Sequence, residues 1–473
     1  MMKFLRAVSR RNGVLILVAV IILLTFAAGI YMFAGKHAPD GFDPNNPVAL
    51  TIWHNPTGQD KDALSAAVDR FNRSVGRERG VSIIATTIAK SELLHEKLAS
   101  IALGIPGAPE PPDIAIAYPK SAVGLADKGL LIDFEEHFSK EELDKYVPSF
   151  IESGRLGDGK LYVFPVGKSA EGLIINRTFW DRFSAATGTP ISELSTFEGI
   201  IRAAEKYYEW TDANTPDTED DGSAFFMIDN PFNMAQATFA QMGEDLFAGG
   251  GLNEESPIYE RVWKILFEPV IRGYEASYKG YGTDIAKTGK LLCWTSSTAG
   301  ITFVPKSVTY DDNTSEPVEF EILPFPIMEG GKKVVIQRGG GFCLFKSTQA
   351  RENAAVLFLK WLTSPEENLR YLESLGYMPV TNKAIEVANE TWGEQHAAGI
   401  YKSYIDTMKT MNNEYTFLAQ KQLENYAELE IFYDGRVRKL SASARDKYLK
   451  NLLLGEEEAM RSATQLAYEK FIE

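Results

Sequence analysis

Four loops in this sequence gather side chains suited to recognising polar groups. In "WHNPTG" (53–58), His54, Asn55 and Thr57 follow an alternating apolar run and have no local structural task. Trp53 continues the alternation and fits either core or site. In "FPVGKSAEG" (164–172), Pro165 and Gly167 interrupt a strand-like run beside Lys168 and Ser169. That break suits a crossing between lobes or a plain solvated turn. In "CWTSSTAG" (293–300), Ser296 and Ser297 stand where a strand gives way to a helix start, whose free N–H groups favour an acceptor. Trp294 beside them suits stacking on a sugar face or packing in the core. The fourth loop is "YLESLGYMPVTNKA" (371–384), where a helical pattern stops at Gly376 and Pro379 keeps it from resuming. Tyr377 stands between them.

Hydrogen bonding and stacking amount to recognition chemistry. Patterns for bond-making are missing: five histidines are scattered from His37 to His396, with no H-E-x-x-H, no G-x-S-x-G and no Walker loop. Carboxylate pairs abound in an acidic chain, so a glycosidase pair stays open on spacing alone; the chain is read as a non-enzyme. The glycines at 339–341 leave room for a close backbone or ligand, but they do not form G-x-G-x-x-G before a helix. No cofactor is expected. Metal-type Cys–His spacing and C-x-x-C are both absent. The acidic stretch "DANTPDTEDDG" (212–222) places Asp217, Glu219, Asp221 and Gly222 at EF-hand-like positions, but Ile228 falls where a bidentate Glu is required, so it reads as a surface loop. Cys293 and Cys343 each lie in an apolar run, as two buried thiols or a pair.

With 473 residues the chain is too long for one compact core, so two lobes are expected. Its net charge is −15, and the first 35 residues carry Lys3, Arg6, Arg10 and Arg11 with no acid, so the remainder is more acidic still. That balance argues against nucleic acid, whose phosphates need cations, and suits a monomer. The uncharged run from Val14 to Phe33 would make a helix of about 30 Å, enough to cross a bilayer. The basic flank (1–13) stays in the cytoplasm, a signal anchor spans 14–34, a Pro/Gly-rich linker covers 35–47, and everything beyond is exported. Small residues at Ala27, Ala28 and Gly29 keep a cleavable signal open.

The elements that must position the loops then follow. "VALTIW" (48–53), "VSIIATTI" (81–88) and "DIAIAY" (113–118) read as strands. Between them run a helix over 60–75, with Ala63, Leu64, Ala67, Val68 and Phe71 on one stripe, and another that Ser91 would cap. This is the βαβ pattern of a mostly parallel sheet. "KLYVFPV" (160–166) and "EGLIINRTF" (171–179) read as further strands; Ser139 with Glu142, and Ser195 with Glu198, read as capping boxes. After Leu291 strands return in "LLCWT", "VEFEILPFP", "KKVVIQ" and "GGGFCLF". Helices close the chain, one over 351–362 and the next opened by Ser364 as N-cap. A chain that returns late to its first sheet has several lobe crossings, which permit hinge bending around a cleft.

Five segments, "LTIWHNPTG", "PPDIAIAYPKSAVGLADKGLLID", "DGKLYVFPVGKSAEGLIINRTFW", "GKLLCWTSSTAG" and the run from "GGGFCLFKSTQA" to "LGYMPVT", resemble the extracellular solute-binding proteins of ABC importers. The likeness is to the family 1 type that includes the maltose- and glycerol-3-phosphate-binding proteins, and it covers residues 48–382. It implies an α/β, two-lobed periplasmic-binding-protein (type II) fold over 48–473, with lobe 1 at about 48–165 and 300–342 and lobe 2 at about 166–299 and 343–473. It also implies a carbohydrate bound in the interlobe cleft and delivered to permease subunits in the membrane, the binding domain standing in the periplasm or extracellular space. By motif, ligand contacts would be His54, Asn55, Thr57, Tyr118, Lys168, Ser169, Trp294, Ser296, Ser297, Gly340 and Tyr377. Asn230 and Phe232 are further candidate contacts, in the segment "IDNPFN" (228–233) where glycerol-phosphate binders carry tryptophans; that difference, with no match to those proteins' phosphate-binding Arg, favours a neutral sugar or oligosaccharide. A tethered sugar sensor and a secreted glycosidase are the alternatives.

Overall fold

The computed structural model describes residues 42–55, 63–89, 91–214, 220–248, 251–373, 375–395, 399–421 and 426–472. The expected flank, anchor and most of the linker, together with Thr57 and part of the acidic loop, lie outside these. Among the described residues no helix is long and apolar enough to cross a membrane.

The strands of the two main sheets are β1 (Val48–His54), β2 (Val81–Thr87), β3 (Ile114–Ala117), β4 (Ser169–Asn176), β5 (Phe226–Ile228), β6 (Cys293–Ser297), β7 (Phe320–Pro324), β8 (Val334–Arg338), β9 (Gly341–Leu344) and β10 (Thr416–Leu418). The first sheet has the order β9-β3-β1-β2, parallel except for β9. The second runs β10-β8-β4-β6-β5, with β7 also paired to β4. It is mixed: β4 is antiparallel to β6, β7 and β8, while β5 and β6 are parallel. A mostly parallel architecture therefore holds only for the first sheet.

Around the first sheet pack α1 (Ala63–Arg73), whose Leu64, Ala67, Val68 and Phe71 are buried, α2 (Ser91–Leu103) and α3 (Pro119–Asp127). The second lobe adds α4 (Pro231–Gln241) and, after β9, the chain returns to the first lobe with α5 (Gln349–Leu362) and α6 (Pro365–Leu372), which contact β1 and α1. Helix α7 (Tyr426–Asn451) then covers α4 in the second lobe.

This corrects the expected lobe boundaries. β7 and β8 belong to the second sheet; residues 341–372 rejoin the first lobe, because β9 pairs with β3 along Gly341–Leu344, and β10 and α7 then lie in the second. Residues 160–166 are not a strand but a loop held by isolated bridges, such as Phe164 to Phe342. β4 stops at Asn176, whose side chain accepts from the Phe179 N–H and so opens a helix at Arg177. The Ser139–Glu142 box is present, whereas the later helix is capped by Thr196 rather than Ser195. Ser364 sits at an N-cap but turns its hydroxyl to the Trp361 carbonyl instead. Cys293 and Cys343 are both buried and free, one in each sheet.

Candidate functional site

Three chain segments cross between the lobes side by side. The first leads into β4 through Lys168, the second leaves β8 at Gly339, and the third passes Met378 after α6. Lys168 and Met378 exchange backbone hydrogen bonds, Lys168 N–H donating to Met378 O at 3.1 Å and Met378 N–H to Lys168 O at 2.5 Å. The Lys168 ammonium donates to Gly339 O at 3.0 Å. One lysine thus ties all three crossings together.

Backbone proximity explains two glycines. A Cβ on Gly340 would lie 2.6 Å from Ala117 O, at the end of β3, so only glycine lets the second crossing pass. Gly376 has φ +66°, and a Cβ there would lie 2.7 Å from Thr298 O. That turn, packed against the second lobe, aims Tyr377 back at the hinge, where its Cβ lies beside Gly167 and its ring edge beside Gly339.

Two cavities flank this crossing. One, of about 60 Å³, is lined by Asn55, Tyr118, Val166, Gly340, Tyr371 and Tyr377, among others. Four of the predicted contacts, Asn55, Tyr118, Gly340 and Tyr377, therefore meet in one place. The other, of about 40 Å³, lies between the lobes: Pro119, Lys120, Val123 and Ser153 come from the first, Gln337, Gln420, Lys421 and Tyr426 from the second, with Lys168 and Gly339 between. Each has room for a few waters. Both are far below the ~300–1,000 Å³ of sites that enclose a small molecule, so the lobes stand close together.

A chain of polar contacts runs along the floor. Glu171, buried on β4, accepts from Arg338 Nη1 at 2.9 Å and from Asn233 Nδ2 at 2.9 Å. Asn230 caps α4, and its Nδ2 donates to Glu430 Oε1 at 3.0 Å. Glu430 Oε2 accepts from Lys120 Nζ at 3.0 Å, a bridge from the second lobe to the first. Behind it Asp229 accepts from the Gly282 N–H, with Ser296 nearby; burial nonetheless pushes its carboxyl up to about 7. Asp434 is likewise raised to about 7 by burial, although it accepts from the Phe232 N–H.

Other predicted contacts sit elsewhere. Phe232 is fully buried against Phe247, Tyr426 and Tyr433, and Trp294 is fully buried edge-on to Phe320. Both are core, because each sits on the inward face of its element. His54 is buried against Thr87 on the neighbouring strand, with Nε2 to Oγ1 at 3.1 Å. Ser297 Oγ donates to Ser169 Oγ at 3.1 Å, joining β6 to β4, so both hydroxyls serve the sheet. Lys120, Glu171, Gln337, Arg338 and Glu430 were not singled out from sequence. A strand such as "VVIQR" ending in two polar residues after an apolar run was the available signal for two of them.

Two crossing-linked α/β lobes with a polar cleft define a two-lobed binding protein. The chain matches the model of the bacterial extracellular solute-binding protein family over residues 66–398, and it belongs to that family. No curated protein matches the chain. Among solved structures, it is similar to UgpB from Mycobacterium tuberculosis in complex with glycerophosphocholine (15% identity, 90% of this chain and 98% of that chain, TM-score 0.64). It is similar also to an ABC substrate-binding protein from Listeria monocytogenes in complex with cycloalternan (14% identity, 90% and 99%, TM-score 0.63). A third is the cyclic alpha-maltosyl-1,6-maltose binding protein from Arthrobacter globiformis (19% identity, 90% and 99%, TM-score 0.61). At these identities the likeness is one of fold.

Proposed function

We propose that this chain is the substrate-binding component of an ABC importer that takes a carbohydrate between its lobes outside the cytoplasm and hands it to a membrane permease. The observation that carries the reading is the pair of cavities flanking the three-segment crossing, one lined by Tyr118 and Tyr377 and the other, between the lobes, by Gln337, Gln420 and Tyr426. Rings that cover apolar sugar faces and amides that satisfy hydroxyls are the groups such a ligand needs. One structure of the same fold is in complex with cycloalternan and another is of a cyclic alpha-maltosyl-1,6-maltose binding protein, in keeping with that class. The lobes would open about the crossing, admit the sugar and close on it. The hydrophobic run 14–34 would tether the protein to the cytoplasmic membrane as a monomer.

A thermal-shift screen of the full chain against sugars, polyols and sugar derivatives tests the reading. A ligand at a hundred times its Kd adds about 2.7 kcal/mol to folding stability, a clear rise in midpoint. A screen in which no carbohydrate or polyol raises the midpoint refutes it.

A further inference from the structure

The interlobe cavity is lined by three ammonium groups, Lys120, Lys168 and Lys421, and by no carboxylate among the described residues. Lys120 has Glu430, and Lys421 pairs with Asp245 on the outer surface. Lys168 differs. It is 2% exposed, and among the described residues its ammonium has one partner, the neutral carbonyl of Gly339. A buried cation with one carbonyl for company is costly unless a counter-charge arrives. The charged and titratable groups around that corner are already occupied or neutral: Glu430 on Lys120 and Asn230, Glu171 on Arg338 and Asn233, and the phenols of Tyr118, Tyr377 and Tyr426.

We propose that the solute carries an anionic group, a carboxylate or a phosphate, which docks on Lys168 at the crossing between the lobes. The proposal rests on the carbohydrate reading and narrows it from neutral to acidic sugars. A neutral sugar, expected from the resemblance, would leave the buried ammonium without a counter-charge. The position also links charge to closure, because Lys168 holds all three crossing segments at once. Burial pushes its ammonium down to about 7. Near neutral pH the free protein therefore holds only part of that proton. An arriving anion draws the proton back, so binding takes up a proton and weakens as pH rises above 7.

The test is calorimetry on the full chain with matched probes: glucose against glucuronate, galactose against galacturonate, and glucose 1-phosphate and inorganic phosphate as separate arms. The acidic member is expected to bind about ten- to a hundredfold more tightly than its neutral partner, the scale of a charge-assisted bond. Glucuronate against glucose 1-phosphate tells carboxylate from phosphate; phosphate binding alone, without any sugar, refutes the proposal. In Lys168→Gln the preference should fall to twofold or less, while Lys168→Arg should retain it. Should Lys168→Gln fail to fold, the wild-type protein still decides the matter: titrations in buffers of different ionisation enthalpy should show net proton uptake at pH 7.5. Equal or tighter binding of the neutral partners, or no proton uptake, overturns the proposal while the carbohydrate reading stands. If sugars of neither kind bind, both fall.

Discussion

Glu430→Gln should loosen the closed arrangement of the lobes. Glu430 links Lys120 of the first lobe to the second at 3.0 Å, and its other oxygen accepts from Asn230 within its own lobe. At 3.0 Å and an effective dielectric of about 20 the Coulomb energy is roughly 5 kcal/mol. Desolvation and side-chain ordering cancel most of it. The two side chains are 36% and 18% exposed, and partly exposed pairs are worth about 0.2–1 kcal/mol. Because Asn230 holds the carboxylate in place beforehand, the upper end applies, about 1 kcal/mol, or roughly a fivefold fall in the ratio of closed to open molecules. Energy transfer between one dye on each lobe of the ligand-free protein would read this directly. At low salt Glu430→Gln should show the longer distance more often than wild type. In 1 M salt, where charges are screened beyond about 3 Å, wild type should approach the variant. Exchanging the charges, Lys120→Glu with Glu430→Lys, should restore most of the closed fraction. Identical distance distributions for wild type and Glu430→Gln at low salt would refute the argument that this bridge holds the lobes together.

Three further outcomes are expected. Gly340→Ala must move backbone rather than a side-chain tip, since its Cβ would lie 2.6 Å from Ala117 O; a loss of about 1–3 kcal/mol in urea unfolding is predicted, and an unchanged midpoint would show the crossing to be looser than described. Tyr377→Ala should weaken binding of whichever sugar is found by about 1–3 kcal/mol in calorimetry, in keeping with loss of an aromatic platform, and unchanged affinity would assign the ring to hinge packing alone. Asp434, raised to about 7, supplies stability as the neutral acid that is complete below the ordinary carboxylate range and lost as pH rises through 7. Asp434→Asn cannot ionise, so its stability relative to wild type should climb between pH 5 and pH 8 in urea titrations; a flat difference would contradict the buried carboxyl.

The elements of the first lobe were legible because each carries a local signal. The apolar stripe of α1 and the short runs of β1 to β3 need only their own neighbours to be recognised, and they appear close to the expected limits. The turn at Tyr377 was legible too, since a left-handed glycine and a proline end a helix wherever they occur. The return of the chain to its first sheet was misplaced by a few tens of residues. β7, β8 and β9 are similar short apolar runs, and nothing within a strand says which sheet it joins. The pairing of β9 with β3 decides that, through contacts more than two hundred residues apart in the chain.

The cleft shows the same division more sharply. Lys168 stood out beside a broken strand, but its partner Gly339 and its burial come from three distant segments meeting. Trp294 looked like a platform and Phe232 like a contact because an aromatic side chain in a polar neighbourhood can face either way; packing of Trp294 against Phe320 and of Phe232 against Tyr426 turned both inward. Glu171, Arg338 and Glu430 carry no motif, since a charged residue in an acidic chain is unremarkable until a partner is brought to it. From sequence alone came the residue types available for recognition, the periodicities that make helices and strands, and the family pattern. Tertiary structure alone decided which of those residues face one another, because burial and long-range pairing are properties of the packed chain and not of any window along it.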